Sequence, residues 1–143
     1  MICLKICFVT PHLVALVRAA PYSPITMIYH LAKLDAWTVA QSTGIYTGNP
    51  ADRADGFLHL STASQIEESA RRHRAGESDL VLLHVDEAQL GKPLVWEESR
   101  GGKLFPHVYG DILLSAVKQA TPLSLNADGI HQFPDLGSDN GAD

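Results

Sequence analysis

The spacing of apolar residues changes period several times along the chain, and each change marks an element. Residues 28–32, Ile-Tyr-His-Leu-Ala, have no polar face and predict a strand buried on both sides, so that His30 sits half buried or deeper. Asp35 is placed to cap a short helix carrying Trp37 and Ala40, which Gly44 ends. Residues 49–56 read as a loop, because Asn-Pro and Asp-Gly are turn pairs. In the strand over 56–61, Phe57, His59 and Ser61 share one face and Leu58 and Leu60 the other; the leucines claim the core and His59 faces a cleft or solvent. Thr62 and Gln65 form a capping box for a second helix that closes at Gly76. Its apolar stripe is Ala63, Ile66, Ala70 and His73, and Glu67 with Arg71 and Glu68 with Arg72 are favourable i,i+4 pairs.

Residues 79–86 are apolar on both faces, the pattern of a central strand. A helical turn over 87–90, a strand over 92–98 and a solvated loop over 99–103 follow. Residues 105–110 form a compact aromatic segment, and 116–123 supply a last strand. Helices early and strands late predict an α+β domain, with two early helices packed on a mixed, mostly antiparallel sheet. The ordered pattern begins at Met27. Residues 1–26 therefore read as a leader, either a weak signal-like segment or the product of an upstream start; 27–125 form the single domain and 126–143 a flexible polar tail.

Composition then removes several function classes. The chain has 143 residues, enough for one core, and eleven Lys and Arg against sixteen Asp and Glu give a formal net charge of -5. That field argues against nucleic acid and anionic membrane as partners and leaves a small-molecule ligand as the expected one. Cys3 and Cys7 lie too close together to be a disulfide framework, and the expected location is cytoplasmic. Histidine is in surplus, with seven residues. His30, His59 and His107 are the candidates for chemistry, because a half-buried imidazole needs a partner and titrates near neutrality. Glu97 is placed by alternation opposite Trp96, on the face away from the core. If the three histidines converge with Glu97, they could hold a divalent metal, although no spacing diagnostic of a metal site occurs. A serine hydrolase fits poorly: Ser61 and His59 share a face but stand about 7 Å apart along the strand, and no nucleophile elbow accompanies them.

Several blocks then carry a family resemblance. Ile28-Tyr-His-Leu, Trp37 and Ala40 ahead of Gly44 and Tyr46, Asp55-Gly-Phe-Leu-His-Leu-Ser-Thr62 with Gln65, Trp96-Glu97 and Phe105-Pro-His-Val-Tyr-Gly110 occur in order. Over residues 27–122 the chain resembles the uncharacterised bacterial domain-of-unknown-function family 952. The resemblance implies a fold near the ADP-ribosyltransferase-like proteins, whose split sheet binds NAD in a central cleft. By that analogy His30 would grip the ribose and Ser61 and Thr62 would close the next core strand. Tyr46 and Tyr109 would stack on the base and Glu97 would be the catalytic carboxylate with His30; His59 and His107 exceed what that chemistry requires and are added as a catalytic and a cofactor-site candidate. The tyrosine pair of the histidine-type transferases is absent. The alternatives are a noncatalytic nucleotide or small-metabolite binder using the same cleft, and the metal site built from His30, His59 and His107.

Overall fold

The first strand divides the core. Ile28 and Ala32 join one buried cluster with Trp37, Leu58, Leu83 and Val108, while Tyr29 and Leu31 join another with Ile66, Ala70 and Leu82. A strand that is apolar on both faces must be covered on both, and the rest of the chain supplies the two covers. The computed structural model describes residues 25–137; the expected leader lies outside these up to residue 24, as does the end of the expected tail from 138. Strand β1 (Met27–Lys33) pairs with β4 (Leu80–Asp86), which pairs with β8 (Val117–Leu123). A second sheet has the order β3 (Leu58–His59), β6 (Leu104–Val108), β5 (Leu94–Glu98), and β2 (Ile45–Tyr46) pairs with β7 (Ile112–Leu113). The fold is α+β, and every ladder between these strands is antiparallel, so the mixed sheet expected from the pattern narrows to an antiparallel one. A bridge between Tyr29 and Ser61, with both N–H···O distances 2.8 Å, ties the first sheet to the second.

Helix α1 (Leu34–Thr43) follows β1 without a loop. Its cap is Lys33, not Asp35, which lies within the first turn and accepts from the Ala36 N–H at 2.7 Å. Residues 49–56 correct the expected loop. Pro50–Asp55 form a helix, α2, in which the Asn49 N–H donates to Asp52 at 2.8 Å and proline starts the first turn. The turn pairs are present, but they are the two ends of a helix. Helix α3 (Ala63–His73) has the predicted capping box and buries Ile66 and Ala70. His73 leaves the stripe for an exposed position, and of the two charged pairs Glu68 with Arg72 closes at 3.0 Å. Of residues 105–110, expected as a compact aromatic segment, those up to Val108 belong to β6, the central strand of the second sheet.

The polar tail is also corrected as far as it is described. Leu125 bridges to His131, whose Nε2 donates to the Glu77 carbonyl at 2.6 Å, and Phe133 and Leu136 pack on the second cluster. Phe133 and Leu136 thereby cover part of the face built by β1 and α3, while Ile130 stays exposed. Among the described residues no helix is long and apolar enough to cross a membrane.

One backbone position links this framework to the site. Gly48 has φ +96, and a Cβ there would clash with Leu58 Cδ2 and lie 3.0 Å from the Asp52 Cβ. A side chain would therefore push α2 away from β3. Gly48→Ala is expected to cost about 2–4 kcal/mol, the sum of an unfavourable backbone conformation and overpacking, measured by urea unfolding.

Candidate functional site

Burying a carboxylate requires donors, and Asp52, 2% exposed, has three. Its Oδ2 accepts from the Asn49 N–H at 2.8 Å, and its Oδ1 accepts from the His59 N–H at 3.2 Å and from His59 Nδ1 at 2.8 Å. Burial by itself would raise this carboxyl. The His59 ring, the nearby His30 and the two amide bonds outweigh burial and bring it down to about 2. His30 lies behind it, with Nε2 at 3.7 Å from Asp52 Oδ2. The carbonyl of His59, 2.7 Å away, can only accept, so His30 Nδ1 carries the proton and Nε2 takes the Tyr46 hydroxyl at 2.8 Å. Burial holds the His30 pKa below its ordinary 6.5, against the opposing pull of the Asp52 charge. Burial, and next to it the Asp52 charge, raises the Tyr46 phenol, which stays protonated as the donor. Asn49 completes the cluster, donating to the Leu31 carbonyl and accepting from the Lys33 N–H, both at 2.8 Å.

In front of this buried cluster stand two imidazoles. His59 and His107 occupy directly paired positions of β3 and β6, and their ring centroids are 5.6 Å apart. Phe57 packs against both rings, at 4.6 and 4.4 Å. Each is oriented through Nδ1 by a carboxylate: His59 by Asp52, and His107 by Glu97 at 2.8 Å. The Nε2 atoms are then the ones available for proton exchange. Asp55 Oδ2 stands 3.1 Å from that of His59 and can accept its second proton. Both rings line a cavity of about 430 Å³, together with His30, Ser61, Arg74 and Arg100. Arg100 enters from a turn at residues 100–102. Its guanidinium lies 4.9 Å over the Phe105 ring and donates to Ser69 at 3.3 Å and to His73 Nε2 at 3.1 Å. The pocket therefore combines oriented proton carriers with guanidinium groups suited to phosphate or carboxylate.

A family model described as "Protein of unknown function (DUF952)" matches residues 31–120, more than half of the chain. The chain belongs to the DUF952 family. Two solved structures of protein CC0527 from Caulobacter crescentus are similar to it. The crystal structure is 43% identical, covers 75% of this chain and 94% of that one, and superposes with a TM-score of 0.72. The solution NMR structure is 42% identical over 76% of this chain and 93% of that one, with a TM-score of 0.67. Among curated proteins none matches.

Within this DUF952 chain, four of the residues singled out from the sequence line the one cavity: His30, His59, Ser61 and His107. The others are elsewhere. Tyr46 is fully buried and bonded to His30 and Asn49, so it has no face to offer a base. Thr62 is buried as the cap of α3. Glu97 stands behind His107 and is not a lining residue; its Oε1 also takes the Tyr109 hydroxyl at 2.7 Å, and the bonds from Tyr109 and His107 hold its carboxyl below the usual range. Tyr109 is exposed and packs its ring at 5.1 Å from Phe57. Among the described residues no three of His, Cys, Asp and Glu are grouped to hold a metal, so the metal reading finds no ligand set there. Sequence reasoning missed Asp52, Asp55, Arg74 and Arg100. The first two had a signal in Asn49, Pro50 and Asp52, spaced as a helix start. Arg100 had none, because only folding brings residues 99–103 against α3.

Asp52 ionises at about 2 in the folded chain against 3.8 ordinarily, so it contributes stability on the order of 2 kcal/mol that is complete above about pH 4 and is lost as pH falls through 2. Asp52→Asn is expected to lower unfolding stability by about that amount at pH 7, with the gap to the wild type closing below pH 4, in urea titrations over a pH series.

Proposed function

We propose that the cavity binds a phosphorylated nucleotide, NAD first among the candidates, and that His59 moves a proton in a ribosyl-transfer reaction. The observation that carries this reading is the pair of carboxylate-oriented imidazoles beside Arg74 and Arg100 in one cavity. The guanidinium groups take the phosphates, and Ser61 and Ser69 add hydroxyl donors at the same wall. In the reaction the bond between nicotinamide and ribose breaks with its electron pair leaving on the nicotinamide ring. The acceptor's nucleophile attacks the ribose carbon and passes its proton to His59 Nε2. An antiparallel sheet split around a cleft, with His30 on its first strand, supports an ADP-ribosyltransferase-like arrangement.

Two roles differ from those the analogy assigns. Both His30 nitrogens are committed, one to the His59 carbonyl and one to Tyr46, so His30 positions β3 and Asp52 in place of gripping a ribose. The carboxylate that meets developing positive charge on the ribose is Asp55, half exposed and lining the cavity, in place of Glu97, which orients His107. A noncatalytic nucleotide binder would use the same guanidinium groups without these proton carriers.

NAD binding measured by calorimetry is expected, with Arg100→Ala weakening it about tenfold. His59→Ala is expected to leave that affinity within about threefold and to reduce nicotinamide release, followed by chromatography, by about 10²–10⁴-fold. Binding without any nicotinamide release assigns the protein as a binder, and no binding of NAD overturns the proposal.

A further inference from the structure

A second cavity, of about 860 Å³, opens between the first half of α3 and the turn joining β5 to β6. Ser64, Gln65 and Arg72 line one side, Trp96, Lys103 and Leu104 the other, and Arg100 with Phe105 forms the wall it shares with the first cavity. The charges here do not cancel. Arg72 is paired with Glu68 at 3.0 Å, but Arg100 and Lys103 have no carboxylate within ion-pair distance among the described residues. The side-chain partners of Arg100 are Ser69 and His73. His73 accepts through Nε2, and burial and then the Arg100 charge hold its pKa low, so it brings no compensating negative charge. Glu68 also lines this cavity but is paired with Arg72, so the lining sets three cations against one carboxylate in a chain of formal net charge -5. The amide end of α3, which starts at Ala63, adds partial positive charge on the same side. Trp96 sets the remaining requirement: Glu87 accepts its indole N–H at 3.1 Å, which fixes the ring as part of the wall.

We propose that this second cavity is a separate binding site for a phosphate monoester carrying an aromatic group. Its dianion lies between Arg100 and Lys103, and its ring lies in the part of the cavity walled by Trp96 and Leu104. A guanidinium and an ammonium match the charge of such a dianion, and the cavity is far larger than a phosphate alone requires. Arg100 is common to both cavities, whereas Lys103, Trp96 and Leu104 belong to this one alone and distinguish its ligand from that of the first.

Phenyl phosphate is the probe, followed through the amide spectrum of the labelled full chain, with NAD affinity measured in parallel. Saturable shifts at residues 62–65 and 100–104 are expected. Lys103→Glu, a change at an exposed position whose fold the same spectrum reports, is expected to weaken phenyl phosphate at least tenfold and to leave NAD affinity within about twofold. Absence of shifts at those amides, or shifts indifferent to Lys103→Glu, overturns the second site. A parallel loss of NAD affinity in Lys103→Glu also overturns it, because one extended dinucleotide site would then occupy both cavities. If NAD does not bind at all, the phenyl phosphate readout still decides this proposal.

Discussion

A buried negative charge is the constraint around which this protein is arranged. Asp52 can remain ionised at 2% exposure only because donors reach it from the start of its own helix and from β3, with His30 of β1 beside it. Asn49 and His59 lie within seven residues of Asp52, so the carboxylate ties α2 to β3, and His30 brings β1 against that pair. Truncating one donor would leave an uncompensated charge in the interior, a cost well above the net worth of a single hydrogen bond. Asn49 and Tyr46 extend the same cluster toward β1, and among the described residues no buried side-chain nitrogen or oxygen is left without a partner.

That arrangement explains why the histidines differ in their chemistry although the chain carries them on similar strands. His30 has both nitrogens satisfied inside the protein, and burial holds its pKa below the ordinary value. His59 and His107 each give Nδ1 to a carboxylate, and His59 Nε2 also meets the half-exposed Asp55 at the cavity. A ring with one nitrogen anchored and the other at a cavity can exchange protons without losing its orientation. Phe57 against both rings keeps them from turning.

Much of the framework was legible in the sequence because it depends on local periodicity. The two-sided β1, the leucines of β3, the capping box of α3 and the central β4 all follow from spacing that neighbouring residues alone determine. The expectation that three histidines share a cleft came from alternation and from the motif blocks, and the three rings do line one cavity. Residues 49–56 were misread because Asn-Pro and Asp-Gly mark the ends of a short helix as readily as they mark turns. The contribution of the tail was not legible because Ile130, Phe133 and Leu136 are too widely spaced among polar residues to show a period, yet Phe133 and Leu136 pack on the second cluster. Tyr46 illustrates a further limit: exposure depends on tertiary packing, and nothing local distinguishes a stacking tyrosine from a buried donor.

His59 and His107 are opposite partners on an antiparallel ladder, and the backbone hydrogen bonds of β3 and β6 fix the distance between them. Their spacing is consequently a property of strand register and not of the chain length that separates them. Extra residues could accumulate in the exposed turns between α3 and β4 or between β4 and β5 without disturbing the pair, whereas a slip of one residue in β6 would turn His107 to the opposite face of its sheet. The geometry of the two imidazoles is therefore indifferent to loop length and hangs on a single rung of the ladder.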